Sequence, residues 1–393
     1  MAISAERIAE LIRSPFRDNI PRWEDLPADP LRRVLFLRQR FPAEAVPAVL
    51  ELSELRSRAR SKFSRAERMF FDREALEQST GEVPARWRAR LFAGRHTVAD
   101  LTGGAGGDAI ALAGVSRVLA SDTSPARCEM LRANAEVYCV EDQVTVRAAP
   151  AGEFPAAEAY FLDPSRRASG RRSRHLEGLS PSLRILPEIF RVTRDVAVKL
   201  SPATPDDELA ELGGALEFVS EGGVCKEAVV WFGSLPPHGR WASILPEGHI
   251  LAASPGVSKP PVSPPLDYLL EPDPAVVRAG LIPELCSQLG AAVLDARVGY
   301  LTAAAPAASP FVRSYRVLAG MPFSEKALRA ELRNLGIGRV EVKKRASAVD
   351  ADRLRTRLES DLPGHATVVV TRLGDRPAAF ICCRSSCGPD GGH

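Results

Sequence analysis

The sequence predicts an α/β fold centred on a doubly wound parallel sheet, because strand-like and helix-like segments alternate through its middle third. From Val98 to Asp108 the run V-A-D-L-T-G-G-A-G-G-D passes from a short apolar stretch through Asp100 into small residues. I-A-L-A follows, the pattern of a buried strand turning sharply into a helix. A second apolar run, Val118-Leu119-Ala120, ends at Ser121-Asp122. Ser124-Pro125 then starts a helix, a hydroxyl cap with proline in the first turn, that continues to Tyr138. Further strands are expected at Val144–Ala148, Ala159–Leu162 and Val196–Leu200, and antiparallel ones at Val219–Phe232 and Trp241–Leu245.

The first turn has the features of a cofactor site. Gly104 and Gly106 remove Cβ atoms that would keep a ligand away, and the following helix directs its unpaired N–H groups toward an anion. Asp122, at the tip of the second strand, stands where a ribose presents its paired hydroxyls. Both dinucleotides and S-adenosylmethionine fit, since Gly104-x-Gly106-x-x-Ala109 is a variant dinucleotide fingerprint. Asp100 favours a ligand carrying an ammonium, and Asp108, expected at the pocket mouth, would repel a diphosphate.

The fourth strand ends at Asp163-Pro164-Ser165-Arg166-Arg167, at the mouth of the sheet, where an acceptor group would sit. The polar stretch Ser169–His175 reads as a loop beside it, with Arg171, Arg172 and Arg174 as contacts for an anionic substrate. Lys199 interrupts an apolar strand, so it either meets an acid such as Asp163 or faces the site. Ahead of the glycine-rich strand, Gln78-Ser79-Thr80 is either a helix end or a polar group over the cofactor.

The composition sets limits. The 393 residues carry 52 Lys and Arg against 49 Asp and Glu, so bulk charge does not mark a nucleic-acid binder. The flanks are more basic: residues 1–95 hold 19 cations against 14 acids, and residues 321–384 hold 13 against 8. Arg56, Arg58, Arg60, Lys62, Arg65 and Arg68 form the densest run, either a solvated face or a grip on a phosphate backbone. No apolar stretch approaches the roughly 20 residues of a membrane span, and the first ten residues are too polar for a secretory signal, so a cytoplasmic location is expected. Seven irregularly spaced cysteines agree with a reducing compartment, and Cys382, Cys383 and Cys387 lack a fourth ligand at metal spacing, so no metal is expected.

The expected layout is a helical part at 1–92, the sheet domain at 93–254, a proline-rich connector at 255–265, an α+β domain at 266–384 and a disordered tail at 385–393. In the last folded region, strands are expected at Tyr315–Leu318, Arg339–Lys343, Ala366–Arg372 and Ala378–Cys383, and helices at Ser324–Leu335 and Ala351–Leu358. Lys343-Lys344-Arg345 forms a basic edge after a strand.

D-L-T-G-G-A-G-G-D resembles the first motif of class I S-adenosylmethionine-dependent methyltransferases, Asp-x-Gly-x-Gly-x-Gly, with Thr102 at the first glycine position. D-P-S-R resembles the Asp/Asn-Pro-Pro-aromatic motif of nitrogen methyltransferases. Asp163 and Pro164 match it, while Ser165 and Arg166 replace the second proline and the aromatic. With V-K-L-S-P and G-I-G-R-V-E-V-K-K-R, the chain resembles bacterial methyltransferases with a THUMP-like C-terminal domain. The resemblance implies a Rossmann-like seven-stranded methyltransferase sheet and S-adenosylmethionine held by Gln78, Thr80, Asp100, Thr102, Gly104, Gly106, Asp108 and Asp122. Asp163, Pro164, Arg166 and Lys199 would serve the transfer, and Arg171, Arg172, Lys343, Lys344 and Arg345 an RNA substrate, rRNA or tRNA. The alternatives are a protein or small-molecule acceptor, or a non-catalytic RNA-binding factor on the same scaffold.

Overall fold

The computed structural model describes residues 3–165, 175–235 and 239–384. Arg166, Arg171, Arg172, Arg174 and the tail at 385–393 lie outside the described residues. By compactness the chain divides into two units, Met1–Glu217 with Glu227–His238, and Phe218–Lys226 with Gly239–His393.

In the first unit, β1 (Thr97–Asp100), β2 (Arg117–Asp122), β3 (Val144–Ala148), β4 (Ala159–Leu162) and β5 (Val196–Leu200) form a parallel sheet in the order β3-β2-β1-β4-β5. Every residue of β4 is buried, which explains why it reads as an unbroken apolar run rather than an alternating one. β6 (Ala215–Glu221) leads into β7 (Val224–Trp231), whose residues from Ala228 to Trp231 pair antiparallel with β5.

The N-terminal helices Ala5–Arg13, Pro30–Arg38 and Val46–Ala59 share this unit rather than standing apart. Their apolar faces, among them Ile8, Leu11, Leu37, Val49 and Leu52, close over Met130 and Ala133 of helix Pro125–Tyr138. Part of the dense basic run is engaged within this unit, while Arg58 and Arg68 stay exposed. Arg56 is buried and donates to the carbonyls of Met69 and Arg68 at 2.8 and 3.1 Å, Arg60 pairs with Glu24 at 2.8 Å, and Lys62 Nζ donates to the carbonyls of Leu76 and Ser79 at 2.7 and 3.0 Å. Lys62 thereby satisfies carbonyls left open at the end of helix Arg73–Gln78.

The second unit holds the hairpin β8 (Arg240–Leu245) and β9 (His249–Ala252), and then a seven-stranded sheet. Its strands are β10 (Tyr268–Pro272), β11 (Ala292–Val293), β12 (Leu301–Ala303), β13 (Val312–Pro322), β14 (Ile337–Lys344), β15 (Gly364–Leu373) and β16 (Arg376–Arg384), in the order β11-β12-β10-β13-β16-β15-β14. Its neighbouring strands pair antiparallel except β14 and β15, which run parallel, as their crossover through helix Ala351–Leu358 requires. Period-two alternation divides β15: Val368 and Val370 meet Leu328, Leu332, Leu354 and Leu358 of the helices, while Val369 joins Tyr300, Tyr315 and Phe380 on the other face. The proline-rich segment is tied to this unit by Ser263 N donating to Val293 O and Val293 N donating to Pro261 O, at 3.0 and 2.9 Å.

Candidate active site

The strand order reverses at β1, whose neighbours are β2 on one side and β4 on the other. Ligands of open α/β sheets bind outside the carboxyl ends of the strands at such a point. The side chains at those ends are Asp100, Asp122, Asp163 and Lys199.

The turn after β1 needs glycine for more than one reason. Gly106 has φ of +96°, and a Cβ there would meet Ile110 and Leu131 at 3.2 Å, so its bareness admits the neighbouring helix rather than a ligand. A Cβ on Gly107 would stand 3.0 Å from the Thr80 carbonyl, so this glycine lets the segment ahead of β1 lie against the turn. Gly104 has φ of +52°, a Cβ there would touch only the Thr102 carbonyl oxygen at 3.9 Å, and its N–H donates to Asp122 Oδ2 at 3.0 Å. Asp122 Oδ1 accepts from Ser124 N at 2.8 Å, which fixes the carboxylate, and each oxygen keeps a lone pair for a ribose hydroxyl.

Thr102 ties two strand ends together. Its hydroxyl donates to Asp100 Oδ1 at 3.3 Å and accepts from Asp163 N at 2.7 Å, and its own N–H donates to Asp100 Oδ1 at 3.0 Å. A glycine at this position would lose the hydroxyl link. Asp100 is fully buried, and its Oδ2 has no hydrogen-bond partner among the described residues. Burial, with Asp108 and Asp163 adding repulsion, pushes its carboxyl up to about 8.

Lys199 Nζ donates to Asp163 Oδ2 at 2.5 Å and to Thr80 Oγ1 at 2.9 Å. Burial alone would lower the lysine's pKa, but the carboxylates of Asp163, Asp108 and Glu227 outweigh it and hold the ammonium above its ordinary value. Removal from water raises the Asp163 carboxyl above its ordinary value, against the pull of Lys199. The Thr80 hydroxyl in turn donates to Asp108 Oδ2 at 2.7 Å. Asp108 is then held by Arg88, whose other nitrogen donates to Glu227 at 2.6 Å. The result is a continuous chain, Asp163–Lys199–Thr80–Asp108–Arg88–Glu227, half-buried at Asp163 and Lys199 and buried from Thr80 onward.

Two sequence expectations change here. Asp108 is not a free carboxylate at the mouth but a buried partner of Arg88 and Thr80. Gln78 does not join the cluster: its amide donates to Glu74 at 3.0 Å on the surface of helix Arg73–Gln78. Sequence reasoning passed over Arg88 and Glu227. Glu227 carried a usable signal, a lone acid in the apolar strand V-C-K-E-A-V-V-W, the same signal that singled out Lys199. In the second unit Lys343 Nζ is drawn to Glu271 at 2.7 Å, Lys344 donates to the Val349 carbonyl at 2.8 Å, and Arg345 reaches the Gly299 and Pro272 carbonyls at 3.3 Å. The expected basic edge is therefore engaged within its own domain.

Comparison with known proteins decides the family. An uncharacterized S-adenosylmethionine-dependent methyltransferase of Mycobacterium tuberculosis is 34% identical over 364 residues, covering 88% of this chain and 99% of that protein. The chain belongs to the S-adenosylmethionine-dependent methyltransferases. A family model for RNA cap guanine-N2 methyltransferases matches residues 95–161 of the enzyme, and a model for THUMP domain-like sequences matches residues 312–384. The fold of the methyltransferase is similar to a crystal structure from Porphyromonas gingivalis W83 named as that of a methyltransferase. The TM-score is 0.77 at 21% identity, over 98% of this chain and 100% of the other. S-adenosylmethionine is accordingly the cofactor. The orphaned Oδ2 of Asp100 fits it, since the methionine ammonium is the kind of donor that this buried oxygen lacks.

Proposed function

We propose that the methyltransferase modifies RNA, rRNA or tRNA, by direct transfer of the cofactor's methyl group to an acceptor held by Asp163. The observation that carries the reading is one crevice mouth with two differently prepared carboxylates: Asp100, buried with an oxygen unpaired, and Asp163, clamped by Lys199. The two family models support RNA as the substrate class, one over the stretch from β1 to β4 and the other over the end of the second unit. The sheet is read as the seven-stranded Rossmann-like form, six of whose strands, β1 to β5 and β7, are paired in the first unit. A cytoplasmic location goes with an RNA substrate, and no helix of the described residues is long and apolar enough to cross a membrane.

Bound S-adenosylmethionine supplies a methyl group already activated by its sulfonium. The chain's task is alignment. Asp122 takes the ribose hydroxyls, Gly104 lets the backbone approach, and Asp100 takes the ammonium, with Thr102 keeping Asp100 and Asp163 in register. Oδ2 of Asp163 is committed to Lys199, which leaves Oδ1 to accept a hydrogen bond from the acceptor's N–H or O–H. Pro164 holds Asp163 in the extended conformation this needs. With the cofactor bound, Asp163 would aim the acceptor's lone pair at that methyl group, and the acceptor's proton would leave late, to Asp163 or water. Arg166, Arg171 and Arg172 are assigned to the substrate side on sequence alone.

Asp122→Ala is expected to weaken cofactor binding at least tenfold, since hydrogen bonds to a carboxylate are each worth about 1.5–3 kcal/mol. Titration calorimetry giving wild-type affinity would remove Asp122 from the pocket. Asp100 gives a pH signature. Its folded pKa, about 8, lies above the ordinary value of 3.8, so between these values the folded state holds a proton that the unfolded state has lost. The free enzyme should therefore lose stability as pH rises from about 4 to about 8, and Asp100→Asn should flatten that slope. An ammonium beside Asp100 favours the carboxylate, so cofactor binding at pH 7 should release a proton. Calorimetry in buffers of different ionisation enthalpy reads this directly, and binding without proton release would exclude the Asp100 contact.

A further inference from the structure

We propose that the second unit binds the sugar-phosphate backbone of RNA in a cleft lined by Arg329, Arg333 and Arg357, and not along the basic edge at the end of β14. The inference rests on the RNA reading above and gives it a location. Helix Glu325–Asn334 buries Leu328 and Leu332 against the sheet, and helix Ala351–Leu358 buries Leu354 and Leu358. Arginines four residues apart on the first helix, Arg329 and Arg333, and Arg357 on the second therefore share the outer side, above a floor of Leu332, Ile337 and Leu358. The cleft holds about 240 Å³. That is several times the ~30 Å³ share of one water and admits a phosphate with its ribose.

The cleft's three arginines are exposed, whereas Lys343 and Arg345 of the edge are half-buried. Arg329 and Arg357 have side chains 43% and 58% exposed, and they steady each other. Arg329 Nε donates to the Arg357 carbonyl at 2.9 Å, and Arg357 Nη1 donates to Glu325 at 3.0 Å. These bonds leave guanidinium donors over and orient the forks. The Arg333 guanidinium has no ion pair or hydrogen bond among the described residues. Glu359, an acid on the lining, stands 4.0 Å from Arg355 outside the lining. Three planar forks against two carboxylates, Glu359 on the lining and Glu325 paired with Arg329 and Arg357, leave a net positive cleft, and a phosphodiester's oxygens match guanidinium geometry two at a time. Lys343, by contrast, is half-buried on Glu271, and Arg345 is committed to backbone carbonyls.

The test uses the full chain and a fluorescein-labelled RNA hairpin with single-stranded flanks, titrated at several salt concentrations. Arg329→Ala/Arg333→Ala should weaken binding about tenfold or more at moderate salt. It should also reduce the slope of log K against log salt by about 1.5, roughly 0.7–0.9 for each phosphate that is no longer neutralised. S-adenosylmethionine affinity and the thermal transition should stay as in the wild type, which controls for folding. Lys343→Ala/Lys344→Ala/Arg345→Ala should change the slope by less. If the wild type binds RNA and the double variant keeps its slope, the cleft is excluded while the RNA reading stands. If the wild type shows no salt-dependent RNA binding, that reading fails and the cleft assignment falls with it. Displacement of the RNA by an equal charge concentration of polyglutamate would make the cleft a site for acidic polypeptide and overturn the proposal.

Discussion

Asp163→Asn is expected to lower kcat about 10²-fold or more while S-adenosylmethionine affinity changes by less than about threefold. The substitution keeps the side chain's shape and removes its charge. The amide can still meet Lys199 only by turning its oxygen toward the ammonium, which leaves an NH₂ where the acceptor's hydrogen must be received. An interaction made only as the acceptor is aligned costs kcat and kcat/KM together. Lys199→Met supplies an independent readout. Lys199 lowers the Asp163 pKa, so removing it lets that pKa climb further. Activity that needs ionised Asp163 is lost as pH falls through this value, and the acid limb of the rate profile should therefore move to higher pH in the variant. An unshifted limb would mean that the limb reports another group.

Arg88→Met should destabilise the first unit by about 3–5 kcal/mol, the usual cost of removing one partner from a buried ion pair. Arg88 is 2% exposed, with Asp108 on one nitrogen and Glu227 on another. Methionine fills much of the same volume against Phe161, over whose ring the guanidinium lies at 4.9 Å, but it leaves two buried carboxylates without this cation. At roughly 2–4 °C per kcal/mol for a unit of this size, the melting temperature should fall by about 10 °C. Chemical denaturation of the variant gives the free energy directly. A loss below about 1 kcal/mol would mean that water reaches this chain of charges and that it does not fix the position of Thr80 and Lys199.

The candidate crevice was legible because each strand that builds it is apolar and ends in a chemically distinct residue: Asp100, Asp122, Asp163. Lys199 was legible for the opposite reason, a charge placed where a strand should bury apolar groups. What the sequence could not convey was partnership across distance. Asp108 reads as an acid in a glycine-rich turn until Arg88, twenty residues away on helix Glu82–Arg90, is set between it and Glu227. Lys343 likewise reads as basic surface until β10 places Glu271 beside it, 72 residues away in sequence. The strands β10, β11 and β12 went unrecognised because only their pairing with one another and with β13 makes them strands. Thr102 departs from the family motif, and the hydroxyl that departure introduces is what connects β1 to β4.

The most direct test of the central claim is methyl transfer from labelled S-adenosylmethionine to total RNA prepared from cells lacking the enzyme, run side by side with the wild type and Asp163→Asn. The account predicts label in the RNA fraction with the wild type, at least a 10²-fold slower reaction with the variant, and equal cofactor binding by both. Label confined to protein or small-molecule fractions, or a variant as fast as the wild type, would contradict it.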